Sequence, residues 1–182
     1  EIASPWPEGD LLPDFTRAFG PAVSMTTLAG GRIAGREPME SDVEPLTWTL
    51  WEHARSQPTI EYLSAQARLE GVARAIVRSF GGFDAVLTPA LAQRPLLVGA
   101  VHGRGPDPWE HYRRSGYFTP YTAIVNVTGL PAISLPLYQG EDGLPTAIQL
   151  IGRPVGEPAL LALARQLEEA LPWAGRVAEL DG

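Results

Sequence analysis

The chain has 182 residues, a net charge of −7 and a hydrophobic fraction of 45%, enough to bury a core without disulfide or metal staples. It contains no cysteine, and all 14 of its cationic side chains are arginine. Disulfides, thiolate metal sites, a Cys nucleophile and any step needing a lysine of this chain are therefore excluded. The acidic balance argues against nucleic acid or an anionic membrane as the main partner, and no apolar run reaches the roughly 18 residues of a membrane span.

In chain order, the sequence opens at Glu1 without a methionine and passes through the proline-rich Ser4-Pro5-Trp6-Pro7, which reads as the middle of a longer chain. Apolar positions between residues 8 and 29 are interrupted by Pro13 and Gly20-Pro21, predicting two short helices that meet at the break. Gly30 to Arg36 reads as a loop. It mimics a phosphate loop, but Arg36-Glu37 stands where Lys and Ser or Thr are required, so that reading is rejected. Ser41 with Glu44 predicts a capping box, with Pro45 in the first turn of a helix running to about Arg55. Trp48 and Trp51 share a face of that helix and are assigned to core packing. Ile60, Leu63, Leu69, Val72, Ala73, Ile76, Val77 and Phe80 then follow the spacing of one buried helical face, which Gly81-Gly82 stops.

Phe83 to Pro89 is a short apolar run that predicts a buried strand. Residues 91–118 read as irregular. Thr119-Pro120 predicts the N-cap and first position of a helix that ends at Gly129, with Pro131 enforcing the stop. Ala132 to Leu137 reads as a strand whose Pro136 must sit where no ladder donor is needed. A turn from Gln139 to Gly143 joins it to Leu144–Ile151 as a hairpin. A last helix, from Pro158 to about Leu171, turns Leu160, Leu161, Leu163, Ala164, Leu167 and Leu171 inward and leaves Glu168-Glu169 in solvent. The order predicts an α/β fold with mixed strand directions.

Three segments carry a family likeness: Phe83-Asp84-Ala85-Val86-Leu87-Thr88-Pro89, the run from Asn126 through Gly129-Leu130-Pro131 to Pro136, and the run from Gly143-Leu144-Pro145 through Gln149 to Gly152-Arg153-Pro154. With Glu157 opening the last helix and Pro172-Trp173 closing it, they resemble the C-terminal portion of the amidase-signature family from about residue 40 onward. Thr146-Ala147 departs from the Val-Gly usual in the family's second strand. The resemblance implies a C-terminal slice of the amidase-signature fold, with a mixed β-sheet covered by helices on both faces. It also implies amide hydrolysis by a Ser–cis-Ser–Lys triad, in which one Ser attacks, the bridging Ser relays its proton, Lys is the final base, and backbone amides hold the oxyanion. The family's Gly/Ser-rich signature is absent from this chain. Its eight serines, at 4, 24, 41, 56, 64, 79, 115 and 134, form no such cluster, and there is no lysine. No catalytic residue is therefore assigned here.

Several residues invite sharper readings. His102, Asp107, Glu110 and His111 crowd one stretch, but their spacing matches no helical His pair, and a solvated loop with ion pairs to Arg104, Arg113 and Arg114 accounts for them; no metal is assigned. A triad of Ser115, His111 and Asp107 is rejected because real triads converge from separate elements. The aromatic segment from Trp109 to Tyr121 is different: the resemblance implies that it approaches the substrate pocket, so Tyr117, Phe118, Thr119 and Tyr121 are expected to bind substrate. Some relatives carry an acid where Thr119 stands, and a neutral Thr suits an apolar or aryl amide. Asn126 completes the expected substrate-binding set, with backbone hydrogen bonding at the helix end as its structural role. Asn126-Val127-Thr128 also matches a glycosylation acceptor, which the helix-end reading displaces.

The chain is thus expected to be a single incomplete domain over 1–182, with 1–40 an N-terminal helical and loop segment of weaker likeness. Its expected role is to supply sheet and one pocket wall to an amidase acting on small carboxylic amides. The expected partners are the missing N-terminal half and a small-molecule amide, with no cofactor, nucleic acid or membrane; a homodimer and a cytoplasmic setting are further expectations. The strands should lack neighbours and expose an apolar edge. Two alternatives stand: a non-catalytic amidase-like binding or scaffold protein, and an independent hydrolase built on residues 102–111.

Overall fold

Pro21 does not break the first helix. In the computed structural model, which describes residues 3, 5 and 9–175, α1 runs from Leu12 to Ala34 where the sequence predicts two helices. A proline has no N–H for the carbonyl four residues earlier. That carbonyl, on Arg17, instead accepts a hydrogen bond from Gln57 Nε2 at 3.0 Å, from 40 positions further along. Gly30 and Gly31, expected in a loop, belong to the same helix, which ends at Gly35 with φ 69°, the left-handed turn that glycine takes without strain. Ser4, Trp6 and Pro7 of the proline-rich opening lie outside the described residues.

Two compact units divide the chain: Glu1–Val72 with Leu97–Tyr117, and Ala73–Leu96 with Phe118–Gly182. In the first, α1 packs along α2 (Pro45–Ser56). The buried stripe of α1 is small and polar, Thr16, Gly20, Ser24, Thr27 and Gly31. Its hydroxyls bond helix carbonyls, Ser24 Oγ reaching Gly20 O at 3.0 Å, so their burial leaves no polar atom stranded. α2 contributes Leu50 and Trp51, the latter 5% exposed, as expected for core packing. The predicted capping box does not form. Ser41 lies in a 3-10 turn, Glu40–Asp42, where Asp42 Oδ2 accepts the Met39 N–H at 2.8 Å, and Glu44 is the N-cap of α2 without a side-chain cap. Arg36 holds Asp42 through two bonds of 2.7 Å.

Helix α3 (Thr59–Phe80) is shared between the units. Its buried positions are Ala65, Leu69, Ile76 and Phe80, whereas Ile60 and Leu63, expected on that face, are exposed. Residues 108–118, expected to be irregular, form α4 (Pro108–Phe118). The reason is local: Asp107 Oδ1 accepts the N–H groups of Trp109 and Glu110 at 3.0 and 3.2 Å, an N-cap followed by proline at the first position.

The second unit holds β1 (Ala85–Pro89), α5 (Pro120–Thr128), β2 (Ala132–Gln139), β3 (Pro145–Gly152) and α6 (Glu157–Ala170). The strand order is β1-β3-β2 with both pairings antiparallel, so among the described residues the sheet is antiparallel rather than of mixed direction. Pro136 falls in the register irregularity between Leu135 and Tyr138, where a missing ladder donor is tolerated. Ile148 and Leu150 of β3 pack with Leu135, Leu137, Leu160 and Ala164, each buried leucine stabilising the fold by about 1.5–3 kcal/mol. Gln149, between them, points to the other face and meets α5 through the Tyr121 carbonyl; helices therefore lie on both faces. β1 is not fully buried, since Leu87 is 62% exposed, and Leu161 and Leu171 of the last helical stretch are exposed rather than inward. β1 and β2 each pair with β3 alone among the described residues, the unpaired edges the sequence predicts. No helix among those residues is long and apolar enough to cross a membrane.

Candidate functional site

Four of the five expected pocket residues lie in the second unit. Tyr117, in the first, is 72% exposed on the last turn of α4. Phe118 is half-buried, and its carbonyl accepts the Ala92 N–H at 3.1 Å, which ties it to the segment leaving β1. Thr119 is the N-cap of α5 by backbone position (φ −121°, ψ 42°), without a side-chain cap bond, and its carbonyl accepts from Thr122 Oγ1 at 3.0 Å. Tyr121 is half-buried, and its carbonyl accepts from Gln149 Nε2 at 3.2 Å. Phe118, Thr119 and Tyr121 are thus half-buried neighbours at the start of α5.

Asn126 lies apart from them. At 3.6 residues per turn, Tyr121 shares the side of α5 that buries Ile124, while Asn126 falls on the opposite side; Thr119, the N-cap, precedes the helix. Asn126 is exposed and does not make the helix-end bonds expected of it. Thr128 does, its Oγ1 donating to Ile124 O at 2.8 Å and accepting the Leu130 N–H at 3.3 Å.

The side chains of the histidine-rich stretch are engaged in local contacts. The His102 and His111 rings lie 4.8 Å apart between centroids, but His102 Nδ1 already accepts the Arg104 N–H at 2.8 Å. Asp107 is occupied by the α4 N-terminus and by Arg113 at 3.4 Å. Arg104, expected to pair within the stretch, instead grips Glu44 through two 2.6 Å bonds. No group of three or more metal-capable side chains converges among the described residues. A triad is equally unsupported: His111 Nδ1 is buried without a hydrogen-bond partner, so no Asp107–His111 bond exists to orient the imidazole.

Three residues outside the expected set stand out in the structure. His53 Nε2 is buried and unpartnered; its ring stands edge-on to Trp109 at 5.6 Å, and with Thr16, Arg17, Tyr112 and Arg113 it lines a cleft of about 330 Å³ in the first unit. A lone histidine on a helix gives no warning of this. Arg94 bonds Thr146 Oγ1 at 2.5 Å and pairs with Asp142 in the hairpin turn; its guanidinium, with help from the Leu144 N–H, holds the Asp142 carboxyl below its ordinary pKa. Gln149 has a readable signal, a single amide inside the apolar run Ala147 to Ile151.

Comparison with known proteins bears on this geometry. Residues 39–161 match the sequence model of the family described as Amidase. AmiC of Mycobacterium tuberculosis is 34% identical over 165 residues, which cover 90% of this chain and 34% of that protein. The 6-aminohexanoate-cyclic-dimer hydrolase of Paenarthrobacter ureafaciens is 29% identical over 195 residues, covering 99% of this chain and 38% of the relative. A solved 6-aminohexanoate cyclic dimer hydrolase complexed with substrate superposes with a TM-score of 0.84 at 28% identity, over 95% of this chain and 38% of the other. The chain spans little more than a third of the length of these relatives.

Proposed function

The chain belongs to the amidase-signature family, and on that premise we propose that it is the C-terminal part of an amide hydrolase, one incomplete domain that supplies sheet and pocket wall while the catalytic Ser–cis-Ser–Lys set lies on a preceding segment. The observation that carries this reading is the absence of any lysine from 182 residues in a family whose final proton acceptor is a lysine. The serines form no cluster, and among the described residues His53 Nε2 and His111 Nδ1 are buried without a hydrogen-bond partner, so no imidazole–carboxylate pair at those atoms offers a substitute.

Phe118, Thr119 and Tyr121 form the proposed wall. With a neutral Thr119 and two aromatic neighbours, this wall favours an apolar or aryl amide over one bearing a free amino group, which would want a carboxylate there. The unpaired edges of β1 and β2 are where the remainder of the protein would extend the sheet. The test is hydrolysis by the chain joined to its lysine-bearing segment, measured on neutral aryl, neutral aliphatic and amino-bearing amides. Turnover of the neutral amides in preference to the amino-bearing ones is expected. Absence of turnover on all three would favour a non-catalytic scaffold.

A further inference from the structure

Gln149 is 5% exposed, the most buried polar side chain of the second unit among the described residues, and the pocket reading gives it no task. It stands on the central strand opposite Thr88 of β1 and Ser134 of β2. Its amide nitrogen carries two hydrogens, and two acceptors lie in reach, Thr88 Oγ1 and the Tyr121 carbonyl oxygen, each at 3.2 Å. The directions are set. Thr88 Oγ1 gives its own hydrogen to the Pro89 carbonyl at 3.0 Å, so toward Gln149 it can only accept.

The two acceptors differ in consequence. Thr88 belongs to the same sheet, already registered by its ladder with β3. Tyr121 O belongs to the first turn of α5, so the bond from Gln149 ties that turn to the sheet. The bond from Gln149 and the Ala92 N–H to Phe118 O at 3.1 Å bracket the segment from Phe118 to Tyr121. Because a buried amide left half-bonded is costly, Gln149 holds the segment in place rather than following it. We infer that Gln149 is a positioning residue: through the Tyr121 carbonyl it sets the placement of the Phe118–Tyr121 wall, and with it substrate affinity, without touching substrate. The inference rests on the reading of that wall as pocket lining.

The test pairs two variants in the complete protein, the chain with its lysine-bearing segment. Gln149→Leu removes both bonds, whereas Thr88→Val removes the bonds Thr88 Oγ1 makes within the sheet, to Gln149 and to Pro89 O, leaves the bond to Tyr121 O, and serves as the control for lost stability. Q149L should raise KM about tenfold for a neutral amide, with kcat per folded molecule within about twofold, and T88V should leave KM within about twofold of wild type. An unchanged KM in Q149L, or an equal rise in T88V, overturns the inference. If wild type hydrolyses no amide, the pocket reading fails instead, and hydrogen exchange of residues 120–128 in this chain decides the positioning claim alone. Faster exchange there in Q149L but not in T88V supports it; equal exchange in both refutes it.

Discussion

Replacing Gln57 by alanine removes the amide that serves the Arg17 carbonyl, and the size of the effect should depend on which residue occupies position 21. With Pro21 in place the carbonyl has no backbone donor, so Gln57→Ala strands a part-buried acceptor at a cost of about 1 kcal/mol, the low end for an unsatisfied group because water partly reaches it. In a Pro21→Ala background the alanine N–H lies where the i→i−4 bond needs it, and the same Gln57→Ala change should cost no more than about 0.3 kcal/mol. Pro21→Ala should itself stabilise, but by less than the roughly 3 kcal/mol separating proline from alanine inside a host helix, since Gln57 already offsets part of the defect. The coupling between the two sites is therefore about 1 kcal/mol. Urea unfolding of the four proteins, followed by far-UV circular dichroism, would measure it, provided m is unchanged across the set. Additive effects within about 0.3 kcal/mol would refute the account of how α1 tolerates its proline.

Three further outcomes are expected. Val155, 88% exposed at φ 58°, holds a β-branched side chain in the left-handed region, so Val155→Gly should raise stability by about 0.5–1 kcal/mol in thermal unfolding; a loss would contradict the strain. Gly31→Ala should destabilise by about 1–3 kcal/mol, because its Cβ would lie 2.8 Å from the Arg36 carbonyl and the Pro38 ring. Gly30→Ala, in open space on the same helix, should stabilise by about 0.5–1 kcal/mol, and equal effects at the two positions would remove the packing argument. The Asp42 carboxyl, bonded by Arg36 and by the Met39 N–H, is lowered from its ordinary 3.8 to about 2. A depressed folded pKa gives stability that is complete above the unfolded value and lost as pH falls from about 4 toward 2. Asp42→Asn should flatten the fall of the urea midpoint across that window, and an unchanged slope would count against the pairing.

Much of the second unit was legible in the sequence because its signals are local. Gly129 and Pro131 ended α5, Pro136 marked the strand irregularity, and the Leu160/Ala164 spacing found the inner face of α6. The first unit was harder to read. α1 buries small polar residues and exposes Phe19, Val23 and Met25, so an apolar-face reading finds only two short helices broken at Gly20-Pro21, and the repair of Pro21 comes from a side chain on another element. α4 has no buried residue and so shows no apolar stripe, although Asp107-Pro108 is the same kind of start as Thr119-Pro120. Ile60 and Leu63 matched the helical period yet lie in solvent, since periodicity says which residues share a face and not whether anything covers them. At the candidate site the family likeness names a segment but does not orient it. The helical phase of α5 sets Tyr121 with Ile124 and turns Asn126 away, and the buried amide beneath that helix was read only as part of a strand.

The proposal that most needs testing is that this chain takes part in amide cleavage while the base that cleavage needs lies on another segment. The direct measurement is hydrolysis of one neutral aryl amide by purified 1–182 before and after it is joined to its lysine-bearing segment. No turnover above background before joining, and turnover after it that is lost when that lysine is replaced by methionine, is the predicted result. Hydrolysis by 1–182 alone that persists through repeated purification would contradict the claim.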